Sequence, residues 1–242
     1  MDPGWFPFAA VDPRGVFNYS NDMSVPKKRM SSQERREHLL EVAAEVFAEK
    51  GYRNASVSDI VQRARIGRGT FYIYFESKRH IFLELIEEFF QGYEMVLMEN
   101  HRRLMEAFRN NRRILATWRE NLEAVLRYHM ERPRLTHIVY REAIGSDEDF
   151  SARVDELSAK ATRILGKEFQ EMKARGLIRD VDVNFVVSTI IGSVTNAILE
   201  HLLKGKKWKP TRLADELVEY HVRALAPDGA DLPLVVKIAL EG

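Results

Sequence analysis

Proline is absent from Lys27 to Arg132, and again from Arg134 to Lys209, in a chain of 242 residues. Proline breaks helix interiors, and both runs are rich in Glu, Lys, Arg, Leu and Ala. Together these features favour an all-helical body. Pro3, Pro7, Pro13 and Pro26 crowd the N-terminus instead. Residues 1–30 also hold glycine and scattered aromatics with no helical period, and read as a flexible extension. Docking of Trp5, Phe6, Phe8 and Phe17 on the body or on a partner is the alternative. Met23 and Met30 are possible alternative starts. The early acid and the lack of a basic n-region argue against a signal peptide.

Several chemistries are excluded. The chain has no cysteine, hence no disulfide, iron–sulfur cluster, zinc finger or cysteine nucleophile. That fits a reducing, cytoplasmic setting. No H-E-x-x-H, G-x-S-x-G or phosphate-loop pattern occurs, and no Glu is followed three residues later by His. No metal, cofactor or catalytic residue is expected. Val183–Leu199 carries no charge over 17 residues, at the lower limit for a membrane span. Its Asn184, Ser188, Thr189, Ser193, Thr195 and Asn196 would be penalised in hydrocarbon, so it reads as a buried interface helix and no membrane is expected.

Helix signals begin at Ser31, where Ser31-Ser32-Gln33-Glu34 has the spacing of a capping box. Leu39, Leu40, Ala43, Val46 and Phe47 then give one apolar stripe, and Gly51 is expected to end it in a left-handed conformation. A short helix follows from Ser56-Val57-Ser58-Asp59, buried through Val57, Ile60, Val61 and Ala64. Arg65-Ile66-Gly67 leaves room only for a tight turn. A third helix spans about Arg68 to Tyr74, with Phe71 and Phe75 facing the core. Ser77 caps a fourth helix, whose stripe from Ile81 to Leu97 is too long for the head alone and joins two domains. Helices are expected over 102–131, 134–144, 149–175, 182–204 and 211–225. The apolar tail Leu232–Leu240 is either a strand or a docked arm.

Two short helices joined by a three-residue turn and packed on a longer one form a helix-turn-helix unit. Its second helix must present small or polar groups to a major groove from its N-terminal turn. Here that turn is Gly67, Arg68, Gly69 and Thr70. Arg68 can donate in bidentate fashion to guanine, and Thr70 can meet a thymine methyl or a phosphate. Gly67 and Gly69 remove side chains where backbone must approach DNA. Tyr72 can donate to phosphate, and Tyr74 is divided between phosphate and packing. Ile73, facing outward, suits a thymine methyl. Lys78 adds charge at a helix N-terminus near a phosphate. Ser56 and Arg65 flank this face and complete the candidate DNA-binding set. Arg35, Arg36 and the Lys27-Lys28-Arg29 run either hold DNA or are simply solvated. Residues 27–80 hold twelve Lys and Arg against seven Asp and Glu, whereas the rest of the chain is net acidic. The positive charge thus sits at the proposed reading head, while the chain as a whole is only +1.

Arg36 to Phe90 resembles the DNA-binding domain of TetR-type transcriptional repressors. The resemblance rests on Phe47, Gly51-Tyr52, Ser56-Val57-Ser58-Asp59-Ile60-Val61, Gly69-Thr70-Phe71-Tyr72-Ile73-Tyr74-Phe75, Ser77-Lys78 and Phe82. The turn departs from that family's usual Ala-Gly-Val-Ser, reading Ala64-Arg65-Ile66-Gly67. Arg65 in a left-handed turn carries a modest backbone cost, and Gly67 is a weaker cap than serine.

The resemblance implies an all-α fold: an N-terminal three-helix helix-turn-helix domain joined by a long fourth helix to a larger helical ligand-binding and dimerisation domain. The expected divisions are 1–30, 31–80, 81–226 and 227–242. It further implies a homodimeric repressor of double-stranded, palindromic operator DNA, released by a small, largely apolar effector. Phe89, Tyr93, Trp118, Tyr128, Tyr140, Phe169 and Met172 form an aromatic and sulfur-bearing stripe of the kind that usually packs a core. The resemblance makes them candidate cavity residues. In the helix from Val183, one apolar and one small-residue face imply two packing partners. Ile190, Gly192, Ser193, Asn196, Ala197 and, on the following helix, Leu217 are the candidate dimer contacts. The alternatives are an all-helical enzyme or carrier with a vestigial helix-turn-helix, and a non-specific architectural DNA binder.

Overall fold

The computed structural model describes residues 30–142, 148–203, 205 and 207–241. The expectations for residues 1–29 lie outside the described residues. Ten helices and no strands occur among the described residues.

The head is built from local signals. Helix α1 (Ser32–Lys50) starts at a reciprocal box: Ser31 Oγ accepts from the Glu34 N–H, and the Ser31 N–H donates to Glu34. Gly51 ends it at φ 78°, ψ 158°. That is not the left-handed helical conformation expected, but a region that only glycine enters readily. Helix α2 (Val57–Ala64) opens on a second box, Ser56 with Asp59. Arg65 then turns the chain in the left-handed conformation at φ 55°, ψ 43°, and α3 (Arg68–Tyr74) begins at Gly67 without a side-chain cap.

Helix α4 (Lys78–Asn110) has 33 residues, roughly 50 Å at 1.5 Å per residue. It ends thirteen residues later than the apolar stripe indicated. The expected helix over 102–131 is therefore divided between α4 and α5 (Ile114–Glu131). The division is made by left-handed residues at Asn111 (φ 48°) and Arg113 (φ 52°), a conformation asparagine tolerates well. Helices α6 (Pro133–Glu142), α7 (Glu148–Ala174), α8 (Val183–Leu203) and α9 (Pro210–Leu225) start and stop within two residues of expectation. The tail is not a strand but is docked: it forms helix α10 (Leu232–Glu241), packed on α5 and α9 through Val236 and Ala239. Asp231 accepts from the Leu234 N–H and so caps it, and Pro233 sits in the first turn, where a missing N–H costs nothing.

Two buried clusters share α4. The first joins α1, α2 and α3 to Ile81, Phe82, Leu85, Ile86, Phe89 and Phe90, and continues into α6 and α7 through Ile138 and Phe150. It runs across the expected division at residues 80 and 81. The second gathers Leu104 and Phe108 of α4 with α5, α8, α9 and α10. Helix α6 also leans on α1, with Arg134 paired to Glu45 at 3.4 Å. Val183–His201 is apolar and long enough to cross a membrane, and it packs against α5, α6, α7 and α9.

Candidate nucleic-acid interface and ligand cavity

Phe71 and Phe75, both buried, hold α3 against the head core. The opposite face is open: Arg65, Gly67, Arg68, Gly69, Tyr72 and Ile73 are all exposed, Tyr72 to 53% and Ile73 to 75%. An isoleucine left three-quarters in water on an ordered helix is informative, because nothing in the fold requires it there. The two glycines give the same signal. A Cβ at Gly67 or Gly69 would meet no atom within 4 Å, so the fold itself does not demand glycine at either position. Arg68 Nη2 donates to Ser58 Oγ at 3.1 Å, which steadies the guanidinium at the rim of α2.

Three residues of the expected DNA-binding set make contacts within the head, Ser56 while remaining exposed. Ser56 Oγ is engaged with Asp59, whose carboxyl is held at about 2 by Lys50 and then by Ser56. Tyr74 is half-buried, and its hydroxyl accepts from Ser32 Oγ at 3.4 Å. The ammonium of Lys78, expected on a phosphate, donates to the carbonyls of Tyr52 and Ala55, both at 2.8 Å. It also lies 4.5 Å from the centre of the Tyr52 ring. Lys78 therefore ties α4 to the loop between α1 and α2. Thr70 is half-buried at the edge of the exposed face.

A cavity of about 360 Å³ opens between α4, α5, α6, α7 and α8. Phe89, Tyr93, Trp118 and Tyr140 of the aromatic stripe line it. Tyr128, Phe169 and Met172 do not. Tyr128 instead donates to the Phe89 carbonyl at 2.7 Å, under the guanidinium of Arg132 at 4.2 Å from its ring centre. Phe169 and Met172 pack on the far side of Trp118, beside His221.

The polar wall was missed in the sequence. Asn100 and Asn121 clasp α4 to α5 reciprocally: each side-chain amide donates to the other's backbone carbonyl, at 2.9 and 2.8 Å. Nδ1 of His129 lies 2.9 Å from the Val125 carbonyl oxygen, which only accepts, so the proton is on Nδ1. Burial holds this imidazole at about 4, and it is neutral at physiological pH. Glu168 is buried 2.8 Å from His101, and burial raises its carboxyl above the usual range while His101 opposes the shift. The available signal was polar residues at positions where the apolar stripes of α4, α5 and α7 should continue.

Helix α8 presents two faces. Ile190, Val194 and Ile198 line the cavity, and Ala197 is buried in the protomer. Ile190 and Ala197, expected at a dimer contact, therefore face inward. The outer face carries Phe185, Ser188, Thr189, Gly192 and Asn196, with Phe185 exposed to 69%. Tyr220 of α9 is exposed to 68%, and Leu217 is half-buried. Ser193 Oγ lies 3.0 Å from His221 Nε2 between the two helices.

Residues 39–85 match the family model described as bacterial regulatory proteins, tetR family. The chain is 30% identical over 206 residues to YdgC of Bacillus subtilis, an uncharacterized HTH-type transcriptional regulator, covering 82% of this chain and 96% of that protein. A TerR/AcrR-family transcriptional regulator of Aquifex aeolicus is similar in structure, with a TM-score of 0.60 and 26% identity, over 77% of this chain and 96% of that one. The FadR regulator of Bacillus subtilis, solved with stearoyl-CoA, shares the fold with a TM-score of 0.57 at 23% identity, over 77% of this chain and 97% of that one.

Proposed function

Because the chain belongs to the TetR family of bacterial regulatory proteins, we propose that it is a cytoplasmic homodimeric repressor, without enzymatic activity, that releases its operator when an apolar effector fills the cavity. The observation that carries this reading is the continuity of α4. Phe89 lines the cavity and belongs to the same buried cluster as the head, so a displaced wall displaces the base of the head.

In this reading α3 enters the major groove. Arg68, Tyr72, Ile73, the two glycines and Arg65 meet DNA, with Thr70 at the edge. Lys78 and Ser56 act by holding the head together. The outer faces of α8 and α9 pair with their copies, bringing Gly192, Ser193, Asn196 and Leu217 to the contact along with Phe185 and Tyr220. Two heads then read half-sites one turn apart, ~34–36 Å. Effector binding favours a spacing that does not match the groove repeat, and DNA is lost by population shift. The stearoyl-CoA held by the Bacillus subtilis FadR structure supports an acyl chain as the first effector to try.

The test is a gel-shift titration of operator DNA selected from a random pool, with and without acyl-CoA esters of graded length. Binding to one palindromic sequence is expected, relieved by ligand in the native protein but not after Ala161, which lines the cavity, is replaced by Phe. Equal affinity for unrelated DNA would refute a sequence-specific repressor.

A further inference from the structure

We infer that the oxygen-bearing end of the effector is received at the head end of the cavity, between His129, Tyr93 and Tyr140, with its hydrocarbon running along α4 toward Asn100. The inference rests on the reading of this cavity as the effector site and adds where the polar end binds and which groups hold it.

Among the described residues, the side-chain atoms sealed from solvent without a hydrogen-bond partner are Asn121 Oδ1 and His221 Nδ1. His129 is 3% exposed and lines the cavity. Its Nδ1 is engaged with the Val125 carbonyl, but Nε2 is neither bonded nor sealed, so this nitrogen opens onto the cavity. The Tyr93 ring stands 4.8 Å from the imidazole and nearly perpendicular to it, and the Tyr140 ring lies 6.0 Å away. The Tyr93 hydroxyl has no hydrogen-bond partner among the described residues. Thr195 of α8 stands beside the hydroxyl of Tyr140. Both tyrosines are only half-buried, yet burial raises both phenols above their ordinary value. The surface they keep therefore faces the cavity rather than bulk water.

The polar groups at the other end are already engaged. Asn100 and Asn121 hold each other's carbonyls, and Glu168 is bonded to His101. Tyr93 and Asn100 are seven residues apart on α4, about 10 Å along the helix. Helix α5 runs the opposite way, with His129 beside Tyr93 and Asn121 beside Asn100. Leu97, Leu122 and Val125 line the stretch between. The cavity is thus apolar along its middle, and its unengaged hydrogen-bonding groups gather at the end nearer the head.

The chemistry of that end fits a hydroxyl. Nε2 can only accept, and each tyrosine hydroxyl donates or accepts, so an alcohol or phenol engages both kinds of group at once. An engineered cavity of about 150 Å³ holds benzene, and on that scale 360 Å³ takes on the order of fourteen heavy atoms. Decanol, with about eleven, fits within it. The polar end also lies where it can act on the head: Tyr140 belongs to α6, which leans on α1 through Arg134 and Glu45.

The experiment is titration calorimetry of the full chain with decanol, on the native protein and on Tyr93→Phe, Tyr140→Phe and Ala161→Phe. Nitrogen NMR of isotope-labelled histidines follows the native protein, with His129 assigned by its absence in His129→Gln. Removing either hydroxyl should weaken decanol binding about three- to tenfold, the ratio of roughly one net hydrogen bond. Tyr93→Phe should not lower the midpoint of urea unfolding, because its hydroxyl is unpaired in the protein. Decanol should shift Nε2 of His129 more than Nδ1. A purely apolar contact would give the opposite sign in calorimetry, since phenylalanine is the more apolar side chain. The NMR reading on the native protein decides the question even if a variant fails to fold. Binding that is unchanged or tighter in both tyrosine variants, with Nε2 unmoved and all binding lost in Ala161→Phe, would overturn this placement of the polar end and leave the cavity as the effector site. Binding unchanged in Ala161→Phe, or no binding of decanol, would overturn the cavity reading and this inference with it.

Discussion

Gly92 sits in α4 where the helix passes from the head to the cavity, and replacing it with alanine tests how tightly α4 is held there. A bare helix-propensity argument says that Gly92→Ala stabilises by about 1 kcal/mol. The packing says the reverse. A Cβ at this position would stand 2.4 Å from the Tyr128 hydroxyl oxygen and 3.2 Å from two of its ring carbons. Tyr128 has little freedom to retreat: it is 7% exposed, its hydroxyl is bonded to the Phe89 carbonyl and Arg132 covers its ring. Overpacking costs about 1–3 kcal/mol, and losing the Phe89 bond roughly 1 more. Set against the propensity gain, Gly92→Ala is expected to destabilise by about 1–3 kcal/mol. Tyr128→Phe removes the oxygen nearest the new methyl, leaving the two contacts at 3.2 Å. In that background Gly92→Ala should be close to neutral, a coupling of about 2 kcal/mol between the sites. Urea unfolding of the native protein, the two single variants and the double variant, at one protomer concentration, measures this. A more stable Gly92→Ala with Tyr128 in place, or strictly additive effects, would show that α4 and α5 have slack at this crossing and refute the reasoning.

Four further outcomes are expected. Gly69→Ala should stabilise the head by up to about 1 kcal/mol, since its methyl meets nothing in the protein, yet weaken operator binding in a gel shift; unchanged binding would remove Gly69 from the interface. Lys78→Met should cost roughly 2–4 kcal/mol in urea unfolding, because two carbonyls lose a charged donor, and an unchanged midpoint would contradict the tie it makes. His129 and His221 are 3% and 4% exposed, and burial depresses both from 6.5 to about 4. The unfolded chain therefore takes up protons first: stability is full above about pH 6.5 and falls toward pH 4, by about 2 kcal/mol per histidine at pH 5. The His129→Gln, His221→Gln variant should lose correspondingly less over that window in unfolding measured at several pH values, and a parallel decline would contradict the assignment. Gly192→Arg, on the open outer face of α8, should leave the protomer folded but shift it to monomer in sedimentation; an undisturbed dimer would place the interface elsewhere.

The head was legible from sequence because its determinants are local. Ser31 with Glu34, Ser56 with Asp59 and the Phe71–Phe75 pair each act within a turn of helix. Misreadings arose where a local pattern has two outcomes. An apolar run such as Leu232–Leu240 suits a strand or a helix, and Asp231 with Pro233 decided for helix. Asn111 in the left-handed conformation stopped α4 where no proline or glycine marked a stop. Lys78 shows a further limit: a motif gives a position, not a direction, and its ammonium points back to two carbonyls. The cavity is the clearest case. Aromatic stripes serve any helical core, so Tyr128, Phe169 and Met172 looked no different from Phe89, Tyr93 and Trp118. Asn100, Asn121 and Glu168 do differ, because a buried polar group is costly unless it finds a partner, and all three line the cavity. In a helical body of this kind, polar residues that interrupt a core-facing stripe therefore carry more information about a ligand site than the aromatics that fill it.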